Sequence, residues 1–231
     1  MTRVAIIAAL AGELKPLVRG WEHESHSGLD LWRRRKGEAE WIAACAGAGV
    51  EAAQRAFDEI EKEGTIDLAF SIGWAGALRE EFVAGQAYCV SGVIDARTGE
   101  RFFVTDRVGE RWLVTNPKVA DQADKRRLAA AHGASLVDLE AAGIARRAKA
   151  RGIPFHCIKG VSDGLADRLP DFNPFISTHG EFRLARFILF ALFRPWYWPA
   201  LMRVGKNSRA AAQNLREALL EILERSPLTG R

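Results

Sequence analysis

Three carboxylates stand where an apolar run gives way to a helix or a turn. Glu140 lies in Val137-Asp138-Leu139-Glu140-Ala141-Ala142-Gly143, Asp163 closes Phe155-His156-Cys157-Ile158-Lys159-Gly160-Val161-Ser162, and Glu13 follows Ile6-Ile7-Ala8-Ala9-Leu10-Ala11-Gly12. One carboxylate at the mouth of a helix and a second just past a buried strand is the arrangement needed to grip a sugar and protonate its leaving base. When a bond from sugar carbon to base nitrogen breaks, positive charge grows on the sugar and negative charge on the base. An anion beside the sugar and an acid beside the base therefore stabilise opposite ends of one transition state. The logic is that of the two carboxylates of O-glycosidases applied to a different bond.

Each residue also has a plainer reading. Glu13 and Glu140 suit the first turn of a helix, where the dipole favours acids; Asp138 suits a helix cap and Asp163 a turn. Ser71-Ile72-Gly73-Trp74-Ala75-Gly76-Ala77-Leu78 adds a glycine-rich turn, Gly73, Trp74 and Gly76, in which backbone amides can approach a ligand closely. Four such segments at strand ends are together more than the plain readings explain.

The elements that must position them alternate along the chain. Strands are predicted at 3–10, 29–36, 39–45, 67–73, 86–95, 101–105, 111–115, 135–138 and 154–161. Helices are predicted from Gly12 to Val18, from Gly49 to about Glu63 with Val50, Ala53, Ala56, Phe57 and Ile60 on one face, at 117–132, at 139–151 ending on Gly152, and at 207–225 with Leu215, Leu219, Ile222 and Leu223 inward. The pattern argues for an α/β fold of three layers, α/β/α, with a central mixed, largely parallel sheet, in a single domain over 1–231. Ligands in such sheets sit at the carboxyl ends of the strands.

With 48% hydrophobic and 27% charged residues, the composition excludes a disordered chain and a multi-span membrane protein. Cys45, Cys89 and Cys157 lie in apolar runs without ligand spacing, so reduced core cysteines are expected, with no metal and no cofactor. The N-terminus runs straight into a strand and lacks the charged start and cleavage site of a signal peptide, which points to the cytoplasm.

The net charge is +4, and much of the excess follows residue 182, where Arg183, Arg186, Arg194, Arg203, Lys206 and Arg209 flank an apolar, aromatic insert at about 180–204. Arg194, Pro195 and Pro199 break the insert, which is too short to span a bilayer. Phe190, Phe193, Trp196, Tyr197 and Trp198 suit a membrane interface, and the cations suit an anionic lipid surface rather than nucleic acid. A dimer contact or added core packing is the plainer account.

Over residues 3–175 the chain resembles the nucleoside phosphorylase and nucleosidase superfamily, most closely the methylthioadenosine/S-adenosylhomocysteine nucleosidases. Ile6 to Leu14 is similar to that family's first strand and glutamate, and Ala46-Gly47-Ala48-Gly49-Val50 to its Gly-x-Gly helix start. Ile72 to Leu78 is similar to T-G-S-A-G-G-L, Val137 to Ala142 to V-D-M-E-A-A, and Val161-Ser162-Asp163 to I-S-D. The resemblance implies that Asp163 protonates N7 of a leaving adenine with help from Ser162, and that Glu140 holds ribose hydroxyls with Leu139 beside the sugar. It also implies that Glu13 positions the attacking water, that backbone near Lys118 and Val119 faces the base, and that Phe172 closes over the purine.

There are two departures from the pattern. Trp74 replaces a hydroxyl residue, and the arginine-bearing phosphate loops of phosphorylases have no counterpart, which favours water over phosphate. The insert is the second, and Arg194-Pro195-Trp196-Tyr197-Trp198-Pro199 is similar to the hopanoid-associated branch, which removes adenine from adenosylhopane. The resemblance thus implies hydrolytic release of adenine from a nucleoside with a lipid-like 5' group, by a homodimer in peripheral contact with the inner face of the cytoplasmic membrane. Phosphorolysis of the same substrate, a soluble methylthioadenosine/S-adenosylhomocysteine nucleosidase, and a non-catalytic nucleoside-binding protein remain as alternatives.

Overall fold

The computed structural model describes residues 1–26, 28–45, 47–105 and 109–225; Ala46, the first residue of the Gly-x-Gly segment, lies outside them. Among the described residues eleven strands form one sheet: β1 Thr2–Ala8, β2 Glu22–His26, β3 Leu29–Lys36, β4 Ala39–Cys45, β5 Leu68–Ala77, β6 Ala87–Cys89, β7 Gly92–Asp95, β8 Arg101–Phe103, β9 Trp112–Thr115, β10 Leu136–Asp138 and β11 Phe155–Asp163. Their order is β2-β3-β4-β1-β5-β10-β9-β7-β8, with β11 on β5 and β6 on β11. The interior pairings β4/β1, β1/β5, β5/β11, β10/β9 and β9/β7 are parallel. Antiparallel pairing is found at the hairpins, at β6, and where β10 meets β5.

The interior strands β1, β4 and β5 are largely apolar because both faces of the sheet are covered there. In β1, Ala5 and Ile7 pack under α2 (Val50–Lys62) and α4 (Ala141–Arg151), while Val4, Ile6 and Ala8 pack with Leu215, Leu219 and Leu223 of α6 (Trp198–Arg225). The stripe Ala53, Ala56, Phe57 and Ile60 of α2 is buried as its spacing predicts. On the face opposite α2 and α4, α3 (Gln122–His132) places Leu128 over Ile94, Val114 and Val137. The result is the three-layer α/β/α sandwich, with a mixed sheet parallel in its interior.

Several boundaries differ from expectation, each for a local reason. Helix α1 is only Ala11–Leu14, because Pro16 has no N–H to extend it. The run 86–95 is two strands, since Val90 N–H bonds Cys157 O beside β6 while Ser91 N–H bonds Arg111 O beside β9. Residues 117–121 are not helical; Asp121 caps α3 by accepting from Asp124 N at 2.7 Å.

Gly73, Trp74 and Gly76 do not form a turn. They continue β5, which pairs with β11 as far as Gly76 and with β10 at Gly76 and Ala77. The polar strand β2, Glu-His-Glu-Ser-His, has no apolar alternation to announce it and is held as an edge on β3.

The closing helix begins at Trp198 rather than Asn207, with Pro199 tolerated in its first turn. The insert therefore comprises α5 (Leu184–Leu192), a 3-10 turn at Pro195–Tyr197, and the first turns of α6. Among the described residues no helix is long and apolar enough to cross a membrane.

Candidate active site

Asp163, Ser162, Glu140, Leu139, Glu13, Trp74, Gly76, Val119 and Phe172 all line one cavity of about 1760 Å³ at the carboxyl ends of the central strands. Gly73 lies just behind it, against Glu13. The three carboxylates are thus brought together in one cavity.

Glu13 is fixed entirely by backbone. Its Oε2 accepts from Ala9 N (2.9 Å) and Leu10 N (2.8 Å), and its Oε1 from Trp74 N (2.7 Å). Burial pushes its carboxyl upward, and those N–H groups and Lys159 offset part of the shift. The tryptophan at position 74 does two further things. Its indole N–H donates to Ser208 O of α6 (3.0 Å), and its ring lies over Gly12, where a Cβ would meet Cη2 at 3.0 Å.

Glu140 begins α4, and its Oε1 accepts from Gly49 N at the start of α2 (3.0 Å). The small residues after it are explained by that neighbour: a Cβ at Gly143 would lie 2.7 Å from Val50 O. Burial, and then repulsion from Asp138, raise the Glu140 carboxyl to about 8 against the pull of Lys159.

Two lysines that sequence reasoning missed complete the electrostatics. Lys159 of β11 is fully buried and forms a 2.9 Å ion pair with Asp138 Oδ2; no second acceptor meets it among the described residues. Burial works against its charge, but Asp138, Cys157 and Glu140 outweigh this and hold it above the ordinary lysine range. Asp138 is a cap as well, accepting from Ala141 N (2.9 Å) and from Thr115 Oγ1 (2.7 Å). A lysine in an otherwise apolar strand was the available signal. Lys125 of α3, which sits in the hydrophilic run Asp-Lys-Arg-Arg, gave none, yet its Nζ bonds Asp163 Oδ2 and Gly164 O.

At Asp163, Ser162 Oγ lies 2.6 Å from Oδ1 and 3.3 Å from Ala75 O. Val119 is expected to face a base with its backbone, and both its polar groups are taken by Asn173. Val119 N donates to Asn173 Oδ1 (2.8 Å), and Asn173 Nδ2 donates to Val119 O (3.1 Å). This acceptor and donor pair is the one an aminopurine edge would present, so a base reading Val119 must displace Asn173.

Phe172 stands at the rim and begins a chain of ring contacts through Phe182, Phe187 and Phe190 to Tyr197. Of the residues expected at a membrane, Phe193 (70% exposed), Trp196 and Trp198 face outward. Phe190 and Tyr197 do not: they are half-buried in the ring chain, because α5 turns its Phe187 and Phe190 toward Phe175 and Tyr197 stacks on Phe190. The outward face also carries Leu184, Ile188, Leu189, Leu192 and Met202.

The three-layer sandwich is the fold of the nucleoside phosphorylases and nucleosidases, as superposition on solved structures shows. The chain is similar to the 5'-methylthioadenosine/S-adenosylhomocysteine nucleosidase of Helicobacter pylori, with a TM-score of 0.74 and 13% identity over 98% of this chain and 99% of that one. It is similar to the futalosine hydrolase of the same organism, with a TM-score of 0.74 and 13% identity over 97% and 98%. The Neisseria meningitidis nucleosidase, in complex with methylthio-immucillin-A, superposes with the same score and 17% identity over 98% and 100%. No protein-family model and no curated protein matches the sequence.

Proposed function

We propose that this protein hydrolyses the N-glycosidic bond of an adenosine whose 5' position carries a large apolar group, releasing adenine, with adenosylhopane as the substrate the resemblance points to. The observation that carries the reading is the shared cavity. Glu140 is positioned to hold ribose hydroxyls and Glu13 to orient a water, while Asp163 passes a proton to the base. Glu13 and Glu140 are both buried in the cavity wall, and the sequence has no counterpart of the arginine-bearing phosphate loops of phosphorylases, which favours water as the nucleophile.

The size and lining of the cavity support a large apolar 5' group. A cavity of about 1760 Å³ exceeds the roughly 300–1,000 Å³ of an ordinary small-ligand site. Its outer part is walled by Leu169, Ile176, Phe182, Leu184, Phe187 and Leu201, and Leu184 is itself 58% exposed on the apolar face of α5. An apolar passage running from Asp163 to an exposed apolar helix flanked by arginines suits a substrate drawn from an anionic lipid surface. Peripheral membrane contact and a homodimer belong to this proposal.

The test is release of free adenine from adenosylhopane and from methylthioadenosine, each with and without phosphate. Phosphate-independent release that favours the hopane substrate is expected. Faster turnover of methylthioadenosine would remove the lipid part of the reading, and dependence on phosphate would replace hydrolysis with phosphorolysis.

A further inference from the structure

Lys125 is only 2% exposed although it belongs to the most hydrophilic stretch of α3. The cations around it behave as surface groups: Lys118, before the helix, and Arg127, on it, both pair with Asp124, at 2.9 and 2.7 Å. Lys125 instead reaches inward, where Nζ donates to Asp163 Oδ2 and to Gly164 O, the latter at 2.7 Å. Room for it depends on Gly76, where a Cβ would lie 3.0 Å from Lys125 Cε and 3.3 Å from Asp163 Oδ2.

Burying an ammonium costs several kcal/mol before its partner compensates, and here the partner is the residue that has to protonate the base. In an ammonium–carboxylate contact the transferable proton sits on nitrogen. The donor on Asp163 Oδ2 is Lys125 Nζ.

On the cleavage proposed above, we infer that Lys125 supplies the proton that departs with the base and that Asp163 conducts it. The bond from C1' to the base nitrogen breaks and its electron pair goes to the base. The base takes a proton from the Asp163 carboxyl as the Lys125 N–H bond gives its proton to Oδ2. Asp163 is a carboxylate before and after, the base leaves neutral, and Lys125 is left as a neutral amine. Water adds its oxygen to C1' and its proton passes to Glu13. When the products leave, Glu13 gives its proton up to solvent and Lys125 takes one back, so that both groups return to their starting states.

Matched basicity favours this route. A departing purine anion is a base of about amine strength, so an ammonium gives up its proton to it at little cost, and proton transfer is most effective between such matched groups. Ser162 suits a residue that alternates between states. Its single hydroxyl hydrogen can point to Asp163 Oδ1, or turn to Ala75 O while the hydroxyl oxygen accepts from a protonated carboxyl.

Two variants separate proton supply from mere support. Lys125→Arg keeps a cation beside Asp163 but does not release a proton in a protein, and Lys125→Met removes the cation. Each is assayed on 5'-octylthioadenosine and on 4-nitrophenyl 5-octylthioriboside, whose leaving group departs as an anion without protonation. Both variants should lose about 10²- to 10⁴-fold in kcat for adenine release, the usual share of a proton donor, while staying within about threefold of wild type on the nitrophenyl riboside. Equal losses on the two substrates, or wild-type adenine release by Lys125→Arg, would overturn the role. A wild-type protein that releases neither leaving group sinks the cleavage reading, and the proton route with it.

Discussion

Glu13 and Gly73 are fitted to each other: a Cβ on Gly73 would lie 2.8 Å from Glu13 Oε1, and the backbone there has φ +142°, a conformation that a side chain strains. The missing side chain is what lets the carboxylate of α1 rest against β5 and accept from Trp74 N. Gly73→Ala should therefore displace Glu13 and slow adenine release by about 10²-fold, the loss expected of a small misplacement at a reacting centre. Steady-state kinetics check this, and wild-type kcat in the variant would deny Glu13 its role at the water.

Glu140 gives a pH signature. Its carboxyl, raised from 4.5 to about 8, binds more protons in the folded than in the unfolded chain between those values. Stability should fall as pH rises from about 4.5 to about 8 and level off above that. If the ionised form grips the ribose, kcat/KM should climb through the same upper region. Glu140→Gln should flatten the stability slope and remove the rising limb, as read by urea titration and rate profiles across pH; an unchanged stability slope in the variant would assign it to another group.

The Asp138 and Lys159 pair is fully enclosed, at 2.9 Å. Removing either partner strands the other, so Asp138→Asn and Lys159→Met should each cost about 3–5 kcal/mol in urea unfolding. The double variant Asp138→Leu/Lys159→Met should lose less than the sum of the singles. Additive losses would mean that the two groups do not act as a pair.

Asn173 occupies the backbone of Val119 with two hydrogen bonds, each worth about 1 kcal/mol net. Asn173→Ala should free that edge and lower KM for the nucleoside by about tenfold, with little change in kcat. A higher KM would mean that Asn173 holds the base instead of standing in for it.

Much of this architecture is legible in the sequence because burial on both sheet faces leaves unbroken apolar strands, and because Glu140 and Asp163 stand where such strands end. What was not legible depended on partners far along the chain. Gly73 to Gly76 looks like a turn until β11 and β10 are known to pair with it. Pairing of β2 rests on its neighbour β3 rather than on its own residues. Lys125 has the composition of a surface helix, and only the glycine at 76 opens the space that draws it inward. The insert's exposed aromatics were legible as a group, whereas which of them turn inward depended on how α5 seats against Phe175.

Single-turnover adenine release from the Asp163→Asn variant beside wild type, with substrate binding measured separately, reports whether the carboxyl at 163 carries the proton to the base. Binding should persist while the chemical step slows by about 10²- to 10⁴-fold. Release at the wild-type rate by a folded Asp163→Asn protein would contradict that role.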